Sequence, residues 1–177
     1  MTADSTARSF GDTSSLGTVS GTPPGTLSGK RSPFVAIAAG GLIAGTLDLT
    51  QAFILFGRRV PLVIAAGLFG RPAFHGGPVT YALGVLLHFF IATSVAAIYY
   101  AASRKLTFLI EHPLVCGLFY GMAVELVMSY IVLPLSALHS TGPYPLHDVL
   151  LGFIVHMIVI GLPISYTIRR FTKIRVA

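Results

Sequence analysis

Four side chains in this sequence could do acid–base chemistry where water is scarce: Asp48, His88, Glu125 and His156. Each stands inside an apolar run, and each follows a glycine by three or four positions. Those glycines are Gly45, Gly84, Gly121 and Gly152. The acids share a Gly-Leu-x-x-Gly lead, beginning at Gly41 and Gly117, and the histidines share Gly-x-x-x-His. A carboxylate accepts a ring N–H, fixes the imidazole tautomer and lowers the cost of either charge, so acid and imidazole are natural partners. Two of each near one depth would make a polar site able to bind a proton or a small solute.

The elements that must position them are helices in hydrocarbon. The chain has 177 residues, of which 54% are hydrophobic and 10% charged. A soluble domain of this size could not hide so much apolar surface, whereas a bilayer can take it. Apolar runs at roughly 34–56, 79–102, 113–135 and 149–168 are each near the ~20 residues a helix needs to cross. The expected class is therefore an all-α membrane protein, a bundle of four transmembrane helices. A charged side chain at the bilayer centre costs roughly 2.5–3.5 kcal/mol on insertion scales, so the four should face the bundle interior. Helical spacing agrees: Gly41, Gly45, Asp48 and Ala52 share a stripe, as do Tyr81, Gly84, His88, Ala92 and Tyr99. Gly117, Gly121, Glu125 and Met128 form a third stripe, and Asp148, Gly152 and His156 a fourth. The glycines suit close helix packing. A duplicated two-helix hairpin is the simplest account of the alternating motifs.

The remaining segments frame the bundle. Residues 1–32 are rich in Ser, Thr, Gly and Pro and read as a disordered tail. The transmembrane domain is expected over 33–170, with a basic tail over 171–177. The apolar stretch from Val60 to Phe69 is too short to cross and reads as an interfacial helix between spans 1 and 2. Nine Lys and Arg lie on the side of the termini and second connection, against three on the other side, which places both termini in the cytoplasm. With no Trp, the aromatic anchors would be Tyr81, Tyr99, Tyr100, Tyr144 and Tyr166. Pro134 and Pro163 should kink or end their helices. Thr46 and Thr50 are expected to bond their own helix backbone. The single Cys116 excludes an internal disulfide. The positive charge sits in connections and tails, so the expected partner is the lipid bilayer, with a homo-oligomer allowed and no nucleic acid.

The Gly-Leu-x-x-Gly lead to Asp48, the run Phe74-His75-Gly76-Gly77, the Gly84 to His88 spacing and the Gly117 to Glu125 stretch resemble those of small four-span bacterial inner-membrane proteins. Spans 3 and 4 are also similar to YagU-type inner-membrane proteins, with their Gly-Leu-x-x-Gly run and late Gly-His before a basic tail; here Gly152 and His156 stand four apart. The resemblance covers residues 34–170, implies a bacterial inner-membrane location and the span count, and transfers no activity. The leading functional expectation is proton-coupled transport or small-solute binding at Asp48, His88, Glu125 and His156. One alternative is a redox subunit in which His88 and His156 ligate haem or a transition metal, with Gly84 and Gly152 leaving room for a macrocycle. Another is a scaffold whose polar layer only specifies assembly. No enzyme motif is present, and no cofactor is required by the leading reading.

Overall fold

A computed structural model describes residues 32–173. The expectations for the amino-terminal tail and for the basic residues beyond Lys173 lie outside those residues. Four helices are long and apolar enough to cross a membrane: Pro33–Phe56, Pro78–Ser103, Pro113–Leu135 and Leu146–Thr172. No strand occurs among the described residues. The chain is an all-α, four-span membrane bundle.

Local sequence explains the helix limits. Span 1 is α1 (Pro33–Phe56); a short apolar helix α2 (Val60–Phe69) and a 3₁₀ turn (Arg71–His75) lead to span 2, α3 (Pro78–Ser103). Spans 1, 2 and 3 open on Pro33, Pro78 and Pro113, where a missing N–H costs nothing and φ is already helical. Ser32 caps the first, its hydroxyl accepting the Phe34 N–H at 3.3 Å. Gly57 and Gly70 end α1 and α2 with φ of 80° and 74°, a left-handed conformation that other residues adopt only under strain. A one-turn helix, α4 (Phe108–Glu111), precedes span 3, which comprises α5 (Pro113–Val127), a π-turn (Met128–Val132) and α6 (Leu133–Leu135). Span 4 comprises α7 (Leu146–Val155), a π-turn (His156–Gly161) and α8 (Leu162–Lys173). It begins three residues earlier than its hydropathy suggested and keeps Asp148 in its first turn, where the helix dipole favours an acid.

The two prolines inside spans behave differently: span 3 ends at Leu135, one residue after Pro134, as expected, whereas Pro163 is absorbed. Pro163 does not end span 4, which runs ten residues further. In each case the turn before the proline widens, so that Leu133 N–H reaches Met128 O and Leu162 N–H reaches Met157 O, five residues back. Such a turn moves the upstream carbonyls off the pyrrolidine ring.

Spans 1 and 2 form one antiparallel hairpin and spans 3 and 4 another. The hairpins meet mainly at the end carrying Pro33, Ser103 and α8, called here the termini face, because α8 packs against both α1 and α5. The buried core lies there, built from Ala36, Ala44, Ala96, Tyr99, Ile160, Ile164 and Ile168. Towards the opposite end, the loop face, α7 packs on α5, while its packing against α1 is slight. There α2 bridges the hairpins instead: Gly67 O accepts the Ala137 N–H at 2.8 Å, and Leu138 packs on Ala65, Ala66 and Ala73. Large apolar side chains such as Phe34, Phe90 and Phe119 point outward, the surface a bilayer would solvate.

Tyr99 corrects one expectation. It is 1% exposed and so cannot anchor at a membrane interface. Its hydroxyl donates to Leu109 O at 3.0 Å, and its ring meets that of Tyr120 edge-on at 4.8 Å. Tyr120 in turn donates to Val95 O at 2.6 Å, joining span 3 to span 2. Tyr120→Phe should therefore lower stability by about 1 kcal/mol through the lost inter-hairpin bond. Chemical unfolding of the purified protein in mixed micelles measures that loss; an unchanged midpoint and slope would refute it.

Candidate acid–imidazole site

The four sequence-selected residues form two pairs, one in each hairpin. Within the first, α1 and α3 come close because small residues meet: a Cβ on Gly40 would touch Ala96 at 3.6 Å, and one on Gly41 would collide with Thr93. Gly45 lies against Ala92 and Phe89. Following that register outward brings Asp48 to His88, with Oδ2 3.9 Å from Nε2. This exceeds hydrogen-bonding reach. His88 Nε2 lies instead 2.9 Å from Gly45 O, an acceptor, so the nitrogen carries a proton and donates it there. The side chains of His88 and Asp48 are 12% and 19% exposed.

The second hairpin makes a tighter pair. Gly117 meets Gly161 backbone to backbone, Gly121 meets the backbone of His156 and Met157, and Gly152 faces Glu125. A Cβ at Gly152 would stand 2.6 Å from Glu125 Oε1, so this glycine makes the room that the carboxylate fills. Glu125 Oε2 is 3.0 Å from His156 Nδ1, which also lies 3.0 Å from Gly152 O. Both neighbours of Nδ1 are acceptors, so Nδ1 bears the proton and shares it between them. The other carboxylate oxygen accepts from Ser129 Oγ at 2.7 Å. Glu125 is thus held at both oxygens. In neither histidine does the second ring nitrogen take part in a hydrogen bond among the described residues. Each imidazole therefore keeps one basic nitrogen while its partner N–H is committed.

The pairs lie at similar depth with no bond between them. Along span 4, Gly40 sits beside Ile164 and Thr167 and Gly117 beside Gly161 and Ser165, and each acid follows its glycine by eight residues, about 12 Å of helix rise. No hydrogen bond or ion pair links one pair to the other among the described residues. The expected single layer of four is thus resolved into two pairs on separate hairpins. Acid from the first span and imidazole from the second recur in both.

Other expectations sort cleanly. Gly84 packs on the carbonyl of Pro61, holding α2 against α3, so the clearance beside it is filled by backbone. The clearance beside Gly152 is filled by Glu125. Both clearances are thus taken by this chain's own atoms. No group of three or more His, Cys, Asp and Glu converges among the described residues. Asp148 shares no site with His156; it is exposed and pairs with His147 at 2.9 Å. Thr46 and Thr50 donate to Leu42 O and Thr46 O in their own helix, each at 2.7 Å. Cys116 lies half-buried on a shallow apolar groove of about 530 Å³ near the termini face.

The sequence pattern did not single out Ser129, and it gave Tyr144 only an anchoring role. Ser129 is one helical turn beyond Glu125, and that spacing alone could have flagged it. Tyr144 reaches it from the 136–145 connection. Because Pro134 has no N–H to continue the widened register, Ser129 O lacks the next helical donor, and Tyr144 Oη supplies one at 3.3 Å. The same hydroxyl lies 3.2 Å from Ser140 O, and its ring meets Tyr130 edge-on at 6.0 Å. Comparison of the chain with protein-family models, curated proteins and solved structures found no match.

Proposed function

We propose that this chain is a bacterial inner-membrane protein with both termini in the cytoplasm, built on a duplicated hairpin, whose Asp48, His88, Glu125 and His156 form a polar site for proton-coupled movement of a small solute, the Glu125–His156 pair exchanging the proton. The observation that carries this is the 3.0 Å Glu125–His156 contact inside an apolar span, with Asp48 and His88 facing each other at 3.9 Å in the other hairpin. Ionisable groups held there at a cost to insertion are expected to serve a proton or substrate pathway. The nine-to-three bias of Lys and Arg supports the orientation. The resemblance to four-span inner-membrane proteins supports the location.

The two pairs divide the work. His88 has its N–H on a backbone carbonyl and its acid at 3.9 Å, an arrangement that ties span 2 to span 1. Glu125 and His156 touch directly, so a proton arriving at the bare Nε2 gives an imidazolium whose Nδ1–H can pass to Glu125, leaving a neutral imidazole and a carboxylic acid. The second hairpin carries the exchangeable site and the first holds the frame.

The test is infrared spectroscopy of the protein in lipid as pH is varied. A carboxyl band should respond to pH and vanish in Glu125→Gln, and the same vesicles should show proton movement under an imposed potential. No such band would overturn the proton reading. A titrating band without flux under any solute gradient would leave the scaffold role in its place.

A further inference from the structure

The Glu125–His156 pair raises the question of which face supplies its proton. At the termini face the route is closed by packing: α8 is wedged between α1 and α5, with Ile160, Ile164 and Ile168 buried there. On the loop-face side α7 packs on α5 but little on α1, the hairpins being joined there through α2, and the first polar group beyond Glu125 is Ser129. Directly above Ser129 is Tyr144. It is half-buried while its neighbours Thr141, Gly142, Pro143 and Pro145 are exposed, so the connection dips at this one residue.

We propose that Tyr144 is the latch of a loop-face entrance to Glu125, and that water and hydronium reach the Glu125–His156 pair only when the 140–144 segment lifts. This rests on the proton reading given above and adds its sidedness and its gate. The chemistry of the latch suits repeated opening. One phenolic proton serves two carbonyls, Ser129 O at 3.3 Å and Ser140 O at 3.2 Å, both at the long end of hydrogen bonding. The segment from Ser140 to Tyr144 lies outside any helix, and only Pro145, whose carbonyl caps α7, would stay fixed as the hinge. When Tyr144 leaves, Ser129 O is exposed as an acceptor that water can satisfy, so opening strands no polar group. The first hairpin has no counterpart: above His88, the place beside Gly84 is taken by the Pro61 carbonyl of α2. Entry is therefore to one pair only.

The gate can be read without any proton measurement. In a Cys116→Ser background, Ser129→Cys places a thiol under the latch, and a membrane-impermeant sulfonated maleimide is applied to one face of sealed vesicles at a time. Labelling should come from the loop face alone, and Tyr144→Phe should speed it about fivefold to tenfold by removing one weak hydrogen bond. Tyr144→Ala should speed it further. Tyr144→Phe keeps the ring against Tyr130, and unchanged helicity and elution volume confirm that its fold is intact. Labelling that is indifferent to Tyr144, or that enters from the termini face, overturns the latch. If labelling behaves as stated while the Glu125 carboxyl band fails to titrate, the entrance stands and the proton reading falls; the reverse result removes the entrance alone.

Discussion

Glu125→Gln should cut proton movement through the reconstituted protein on the order of a hundredfold, the scale set by losing a positioned acid–base group, while the fold survives. The side chains are nearly isosteric. The Gln carbonyl oxygen can take the His156 Nδ1–H in place of Oε2, and its amide can donate to Ser129 Oγ in place of accepting from it. Stability should therefore change by no more than about 1 kcal/mol. Glu125→Ala is the informative contrast. It leaves the Ser129 hydroxyl without its acceptor and removes one of two acceptors from His156, in surroundings where water is scarce. Each abandoned polar group costs about 1–3 kcal/mol, so this variant should lose both flux and stability. Asp48→Asn should lower flux only several-fold, because Asp48 stands 3.9 Å from His88 and the His88 proton already rests on Gly45 O. Dye-reported proton flux in vesicles, paired with unfolding in mixed micelles, separates the three. If Asp48→Asn proves as damaging to flux as Glu125→Gln, the division of work between hairpins is wrong.

Much of this architecture is written in one-dimensional pattern. The spans follow from hydropathy because a bilayer demands about 20 apolar residues, and Pro33, Pro78 and Pro113 mark their starts by a local rule. That Asp48, His88, Glu125 and His156 turn inward follows from helical periodicity and the cost of charge in hydrocarbon. What periodicity cannot supply is register between helices. It gave four inward stripes and suggested one common layer; whether Asp48 meets His88 or His156 depends on which small residues touch, and that is a property of pairs of helices. Gly161 shows the gap well, since it meets Gly117 across the interface yet belongs to no stripe that the motifs revealed. Tyr99 was misjudged for a related reason: its place near a span end suggests an anchor, while Leu109 O on the following turn offers its hydroxyl a buried acceptor. The widened turns before Pro134 and Pro163 were also hidden. Pro134 does stand next to the end of span 3, as a local stop should, whereas at Pro163 neighbouring helices hold the chain in place and the backbone adjusts around the ring instead.

A single methyl group at the spans 3–4 contact should lower stability and carry the site with it. In an exposed helix, Gly→Ala is worth about 1 kcal/mol of stabilisation from helix propensity. Gly40→Ala should realise much of that gain, since its new Cβ would stand at an ordinary 3.6 Å from Ala96 Cβ. Gly121→Ala should do the opposite. Its Cβ would lie 2.5 Å from Met157 Cα and collide with the His156 carbonyl, and backbone cannot rotate aside as a side chain can. Relief requires spans 3 and 4 to separate, which undoes the Gly117–Gly161 contact one turn away and draws His156 from Glu125. Overpacking of this kind costs about 1–3 kcal/mol, enough to reverse the propensity gain. The two alanine variants, identical in chemistry and both in apolar spans, should therefore shift unfolding in opposite directions, and only Gly121→Ala should abolish the titrating carboxyl band of Glu125. Equal stability of the two would mean that spans 3 and 4 are not in backbone contact at Gly121, and the 3.0 Å Glu125–His156 pair, which depends on that approach, would lose its structural basis.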